Sequence, residues 1–266
     1  MARTSHRPRR TSPFNLPSAF DLFTPSKEIV LKNVWIFGPL YAVPLIFWIH
    51  SWIWSPLPNQ HVQWWHHSGG FSSGWPGGPL PTYGTFALVG FSILWLVLIL
   101  IFGTIAQIMA QAAQLDGAED RRLDFAILWR VVKEQGWMLF GLYIVVGLLV
   151  GLPLTVWVLM LVAFRFWGLL FFPLGFISLI VIQRYFLAPY VMIDKKLGIR
   201  ESMDRSAELS KLNTGSVWGI IGVMFLIGLI NIVPIIGGLG SFIFGSLYSV
   251  APALRYLQLK DLKQLA

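Results

Sequence analysis

Residues 182–205 read IQRYFLAPYVMIDKKLGIRESMDR. An apolar run carries Arg184 and Pro189 inside it, and a dense cluster of charge follows at once. A proline within a helix removes one backbone N–H and deprives the carbonyl one turn earlier, here that of Tyr185, of its donor, so a kink is expected. If Asp194 marks the inner edge of a membrane span, Arg184 lies ten residues deeper, about 15 Å at 1.5 Å per residue. An arginine at that depth costs at least ~2.5–3.5 kcal/mol to insert, so it should either serve a polar site or snorkel toward the cytoplasmic headgroups.

The rest of the chain supports a membrane reading. Of its 266 residues 56% are hydrophobic and 12% charged, and the mean hydropathy is +0.67. Soluble domains carry about 25% charged residues. Runs of about 20 residues without Asp, Glu, Lys or Arg are long enough to cross a hydrocarbon core of about 30 Å. They predict an all-α polytopic protein with spans near residues 34–54, 84–113, 136–161, 167–193, 215–236 and 238–259. The second run is long for one crossing and should tilt or continue as helix beyond the bilayer. The last two are expected to be joined by the turn IVPIIGGLG, broken by Pro234, Gly237 and Gly238.

Lys and Arg concentrate before the first span, between the second and third, between the fourth and fifth, and at the C-terminus. The positive-inside rule then places both termini in the cytoplasm, N-in and C-in. The net charge of +8 is accounted for by these flanks, which would meet anionic lipid headgroups; no nucleic-acid partner is implied. Trp35, Trp137 and Trp218 open the odd-numbered spans, and Trp52, Trp54, Trp64, Trp65 and Trp75 crowd the opposite side, as headgroup-seeking rings do. Residues 1–23 read as a disordered basic arm in which Arg3, Arg7, Arg9 and Arg10 touch headgroups or hold the end inside, and residues 24–266 as one membrane domain.

Within that domain a plan recurs over about 24–115, 116–194 and 195–266: a charged amphipathic stretch, a tryptophan-marked entry, a glycine-rich span and a return span. The entries are SKEIVLKNVWIFGPLYAVP, LWRVVKEQGWMLFGLYIVVG and SAELSKLNTGSVWGIIGVMFL; in the returns Asp116 corresponds to Asp194, and Pro189 to Pro252. Three repeated amphipathic-helix-plus-hairpin units are expected, against the plainer reading that membrane hairpins share composition. In the third unit Glu201, Asp204, Arg205, Glu208 and Lys211 fall on one helix face, with Ile199, Met203, Ser206, Ala207 and Ser210 opposite. That suggests a helix lying along the cytoplasmic interface, or packed on the protein without lipid contact, with Glu201 and Arg205 as an i,i+4 pair. In the first unit Thr24 is the expected N-cap and Pro25 the first helical residue.

The candidate site consists of Arg184, Tyr185, Pro189, Pro252 and Arg255, on the expectation that the two kinked spans lie together and form a polar, inward-facing notch for a lipid or anion. Gly147 and Gly151 form a GxxxG that permits close helix approach. His61, His66 and His67 fit no standard metal spacing, and with no cysteine in the chain thiol ligands and disulfides are excluded. Phosphate-binding glycine loops, HExxH and nucleophile elbows are absent from the sequence, as are carboxylates within the spans. No enzymatic activity, cofactor or metal is expected.

The stretch RYFLAPYVMIDKKLGIRESMDRSAELSK, with the Trp218 span that follows, resembles a bacterial group of six-helix membrane proteins. The group includes the membrane domain attached to some glycerophosphodiester phosphodiesterases, and stand-alone members of unassigned function. The similarity rests on Arg184, Tyr185, Pro189, Asp194, Glu201, Ser202 and Ser206; the hydrolase domain has no counterpart here, so no phosphodiesterase activity is carried over. The resemblance implies the cytoplasmic (inner) membrane of a prokaryote. The expected function is to organise lipids or partner membrane proteins there, the alternative being a transporter or permease subunit for a small or anionic solute.

Overall fold

The computed structural model describes residues 16–42, 82–164, 170–230 and 236–265, and every regular element among them is a helix. A 3₁₀ turn at Phe20–Leu22 leads into α1 (Phe23–Lys32), and α2 covers 34–42. Two long helices follow, α3 (Thr82–Ala118) and α4 (Phe125–Phe164). Then come α5 (Phe172–Tyr185), α6 (Ala188–Lys195), α7 (Ile199–Leu212), α8 (Thr214–Leu229), α9 (Ile236–Tyr248) and α10 (Ala251–Leu265).

Among the described residues three helical runs are long and apolar enough to cross a membrane: Phe125–Phe164, Phe172–Lys195 and Gly237–Gln264. Counting the bent pair α7–α8 as one span raises the number to four. The second expected span does continue as helix, in the 37 residues of α3. The 40 residues of α4 measure about 60 Å at 1.5 Å per residue, about twice a hydrocarbon core. Its first turns therefore extend beyond the apolar layer and belong to the packed end of the molecule, where Leu128, Gln135, Leu139 and Leu142 are buried. Of the first expected span the structure describes 34–42; the rest of it, the histidine loop and the arginines of the arm lie outside the described residues.

The hydrophobic core occupies one end. Val30, Phe37, Ile108, Leu115, Leu139, Met192, Val217 and Leu259 meet there in one cluster. Away from that end α4 and α5 form a hairpin that is apolar all round, with Leu148, Leu152, Leu159, Phe176 and Ile180 exposed. A helix apolar on every side is stable where lipid, not water, is its surroundings. Trp35 and Trp137 are almost fully exposed, 89% and 85%, and such rings suit the headgroup layer.

Several local expectations are corrected. The N-terminal helix begins before Thr24: Ser18 and Asp21 cap one another, Ser18 N–H donating to Asp21 Oδ2 at 2.9 Å and Asp21 N–H to Ser18 Oγ at 3.2 Å. This reciprocal pairing is a capping box, and it sets the start one turn earlier. Gly237 and Gly238 lie inside the first turn of α9 instead of breaking a helix. Arg205 pairs with Glu208 at 3.2 Å, and not with Glu201, because Glu208 also faces Lys263 on α10 and gathers both cations. A Cβ added at Gly147 or Gly151 would meet nothing within 4 Å, so this GxxxG brings no described helix close.

The close approach in the hairpin is at Gly175, where an added Cβ would stand 2.7 Å from the Trp157 ring. Gly175→Ala should therefore destabilise the protein by about 1–3 kcal/mol, as overpacking does, whereas Gly147→Ala and Gly151→Ala should leave the melting temperature in detergent unchanged. A Gly175→Ala protein that melts with the wild type would show that the hairpin does not pack as described.

Candidate functional site: two helix breaks and the polar space between them

Two of the three expected return spans break just before a proline. The first parts at Phe186–Leu187, with Pro189 in the opening turn of α6. The second parts at Ser249–Val250, with Pro252 in the opening turn of α10. Each new helix starts with the same bond, Val191 N–H to Leu187 O at 3.1 Å and Leu254 N–H to Val250 O at 3.0 Å. Each break orphans carbonyls on its upstream side, and a serine from a charged helix supplies a donor. Ser206 of α7 donates to Arg184 O at 2.8 Å, with Ser210 adding a bond at 3.3 Å. Ser26 of α1 donates to Leu247 O at 2.7 Å and accepts from Val250 N–H at 3.1 Å.

The two clamps share their spacing. Ser26 and Ser206 each stand seven residues before an asparagine, Asn33 or Asn213, where α1 gives way to α2 and α7 to α8. Each donates to the carbonyl five residues before a proline. The carbonyl relieved in the first break is Arg184's, not that of Tyr185, because the helix ends at Tyr185 and Ala188 begins the next one. Ser202, Ser206 and Ser210 are all fully buried along one face of α7, and Glu201, Asp204, Arg205, Glu208 and Lys211 are exposed on the other. The apolar–polar split of α7 is thus present, but serines packed on protein form most of its inner face. Its axis meets that of α8 at 101°.

Between the breaks lies a cavity of ≈ 420 Å³. Tyr41 of α2, Gln107, Gln111 and Gln114 of α3, Tyr190 of α6 and Ser249 of the second break line it. Tyr41 and Ser249 hydroxyls bond to each other, Gln114 Nε2 reaches Tyr41 at 3.5 Å, and Tyr190 donates to Gln114 Oε1 at 2.7 Å. Tyr143 of α4 donates to Gln111 Oε1. The second break, α2, α3 and α6 therefore share one uncharged network, and a separate bond ties α4 to α3 beside it. The signal in the sequence is the glutamine triplet at i, i+4 and i+7 within an otherwise apolar run.

On the charged end a second recess, a groove of ≈ 740 Å³, opens between α6, α7 and α10. Its floor includes Val191, Leu197 and Leu209; Glu201, Asp204 and Glu208 stand on one wall, and Lys195, Lys260 and Lys263 on the others. Hydrogen bonding and charge from Lys263 hold the Glu208 carboxyl below the usual carboxylate range, so that rim stays ionised at neutral pH. Lys260 ties three elements together, bonding Asp194 at 2.8 Å and approaching Glu119 at 3.9 Å. Tyr256 donates to the same Asp194 oxygen at 2.6 Å and stacks on Tyr190. In the last turn of α3, burial pushes the Asp116 carboxyl up against the pull of Arg121, 3.4 Å away.

The expected site residues are distributed over these features. Pro252 lines the cavity, and Pro189 opens α6 beside it. Tyr185 packs against the core. Arg184 contributes its carbonyl to the clamp while its side chain is exposed. Among the described residues Arg255 is the buried arginine, 1% exposed: its Nη2 donates to Pro17 O at 2.7 Å, and its Nε and Nη1 have no partner among those residues. Pro17 belongs to a packed strap that begins within the expected arm; Ala19 and Leu22 are buried there, and Ala19 O accepts from Tyr248 at 2.8 Å. Among the described residues no three His, Asp or Glu side chains gather as metal ligands. No family model matches the chain, and no curated protein or solved structure matches it.

Removing a clamp serine leaves a buried carbonyl without its donor, which costs about 1–3 kcal/mol. Ser26→Ala, which loses two bonds, should lower the melting temperature more than Ser206→Ala, whose carbonyl keeps Ser210. Equal melting for both variants and wild type would show that the breaks need no serine.

Proposed function

We propose that the chain is a non-enzymatic multi-pass protein of a prokaryotic cytoplasmic membrane that organises lipids or partner proteins at its inner face. The observation that carries this reading is the groove between α6, α7 and α10, with its apolar floor and charged walls. An apolar groove rimmed by fixed charges of both signs is suited to hold an amphipathic segment in one register. Of the helices that build it, α7 is fastened to the first break by Ser206 and Ser210, so an occupant of the groove acts on an anchored surface.

With that reading go six spans, both termini in the cytoplasm, and a threefold repeat. What supports the repeat is the shared serine–asparagine spacing of the first and third units, whose serines answer the breaks before Pro252 in the third unit and Pro189 in the second. It pairs Asn33 with Asn213, a register three residues from the one that pairs Trp35 with Trp218. Because the chain has no cysteine, single-cysteine variants report sidedness directly. Lys27→Cys and Lys263→Cys should react with an impermeant thiol reagent only after the inner face is opened, and His67→Cys in intact cells; the reverse pattern would overturn the orientation.

For the groove, photo-crosslinking residues placed at Asp204 and Lys263 in living cells should give a discrete protein or lipid adduct. Adducts no stronger than those from a probe at exposed Asp120, outside the groove, would remove the proposed function.

A further inference from the structure

We infer that the cavity between the helix breaks is a binding site for an uncharged, hydroxyl-rich group: a sugar or polyol, free in solution or carried as a lipid headgroup. This goes beyond the groove reading and does not depend on it, because the two recesses have different linings.

The argument starts from the chemistry of the walls. Among the described residues the lining carries no lysine, arginine, histidine or carboxylate. An ion would lose its hydration there without a countercharge, and a metal would find no strong ligand. The polar groups present are amides and hydroxyls, each able to donate and to accept. Their natural complement is a group with the same dual capacity, and a ring of hydroxyls has it.

One of these groups is conspicuously unfinished. Gln111 is 6% exposed, and its Oε1 already accepts from Tyr143. Its amide nitrogen has no partner among the described residues, although the residue lines the cavity. Gln107, one turn away on the same helix, is exposed at the rim and offers a further amide to an occupant. A buried amide is normally satisfied, so the Gln111 nitrogen, open to this space, marks a place where something else supplies the bond. The remaining wall supplies apolar contact for the C–H face of a ring, from Leu40, Phe186 and Met224. A volume of ≈ 420 Å³ lies in the range of small-molecule pockets, about 300–1,000 Å³. Water alone could fill it, and this is the outcome that the test must separate.

Gly103 provides the control. It lines the cavity, and a Cβ built there meets nothing within 4 Å. Gly103→Leu therefore fills the space without removing a hydrogen bond, whereas Gln111→Leu removes the amide but also strips Tyr143 of its acceptor. The full chain, purified in detergent, is titrated with monoglucosyldiacylglycerol, with diacylglycerol lacking the sugar, and with free glucose, using native mass spectrometry for the lipids and melting temperature for all three. The glucolipid should be retained saturably and at least tenfold more strongly than diacylglycerol, and both variants should weaken it at least tenfold while still melting cooperatively. Glucose raising the melting temperature in a Gly103-dependent way would make the ligand a free solute and favour transport; glucolipid binding without a glucose effect would make it a headgroup. If neither probe binds, or if binding survives Gly103→Leu, the cavity holds water only and the inference is overturned.

Discussion

A carbonyl without a donor, placed among apolar helices, is the constraint on which the rest of this structure depends. Prolines 189 and 252 sit just past breaks in two membrane-facing helices, and each break leaves carbonyls that water cannot reach freely. Each is relieved from outside its own helix, by Ser206 with Ser210 or by Ser26. Those serines lie on helices whose other faces are charged and must stay at the polar end. Satisfying the breaks thus draws α1 and α7 against the spans, and the core forms at their level. The α4–α5 hairpin, away from the break that ends α5, is left with apolar side chains on every face.

The same constraint explains why the polar interior is neutral. Breaking a helix makes room, and polar side chains are tolerated in that room only if they are bonded. Amides and hydroxyls meet the requirement without the cost of a buried charge, as the Ser249–Tyr41–Gln114–Tyr190 chain shows. Among the described residues the ion pairs gather at the polar end, where Lys260 and Asp194 lock α6 to α10 and Lys263 joins α7 through Glu208. Arg255 is the exception. It is buried with one hydrogen bond, to a strap that reaches it from the opposite end of the chain.

Much of the architecture was legible in order of residues. Hydropathy marks the long apolar helices, and the split of α7 into charged and small faces follows from its 3.6-residue period. The prolines locate both breaks within a few residues. Reading failed where the local pattern was ambiguous about its partner. Thr24–Pro25 looks like a helix start, but Ser18 and Asp21 cap each other first. Arg184 looks like the buried cation because it interrupts an apolar run, yet it faces outward and Arg255 is enclosed. Hydropathy averages over a helix circumference and cannot say which side of it meets protein.

What the sequence by itself determined is therefore the class of protein, its charged and apolar ends, and the places where its helices must part, since each follows from composition and spacing along one segment. What only the tertiary structure decided is which side chains answer the breaks and what those partners enclose. Ser26 and Leu247 are 221 residues apart, Tyr190 and Gln114 are 76 apart, and Arg255 and Pro17 are 238 apart. No local periodicity encodes such pairs. They arise because a buried polar group must find a complement wherever the packed helices happen to bring one within about 3 Å.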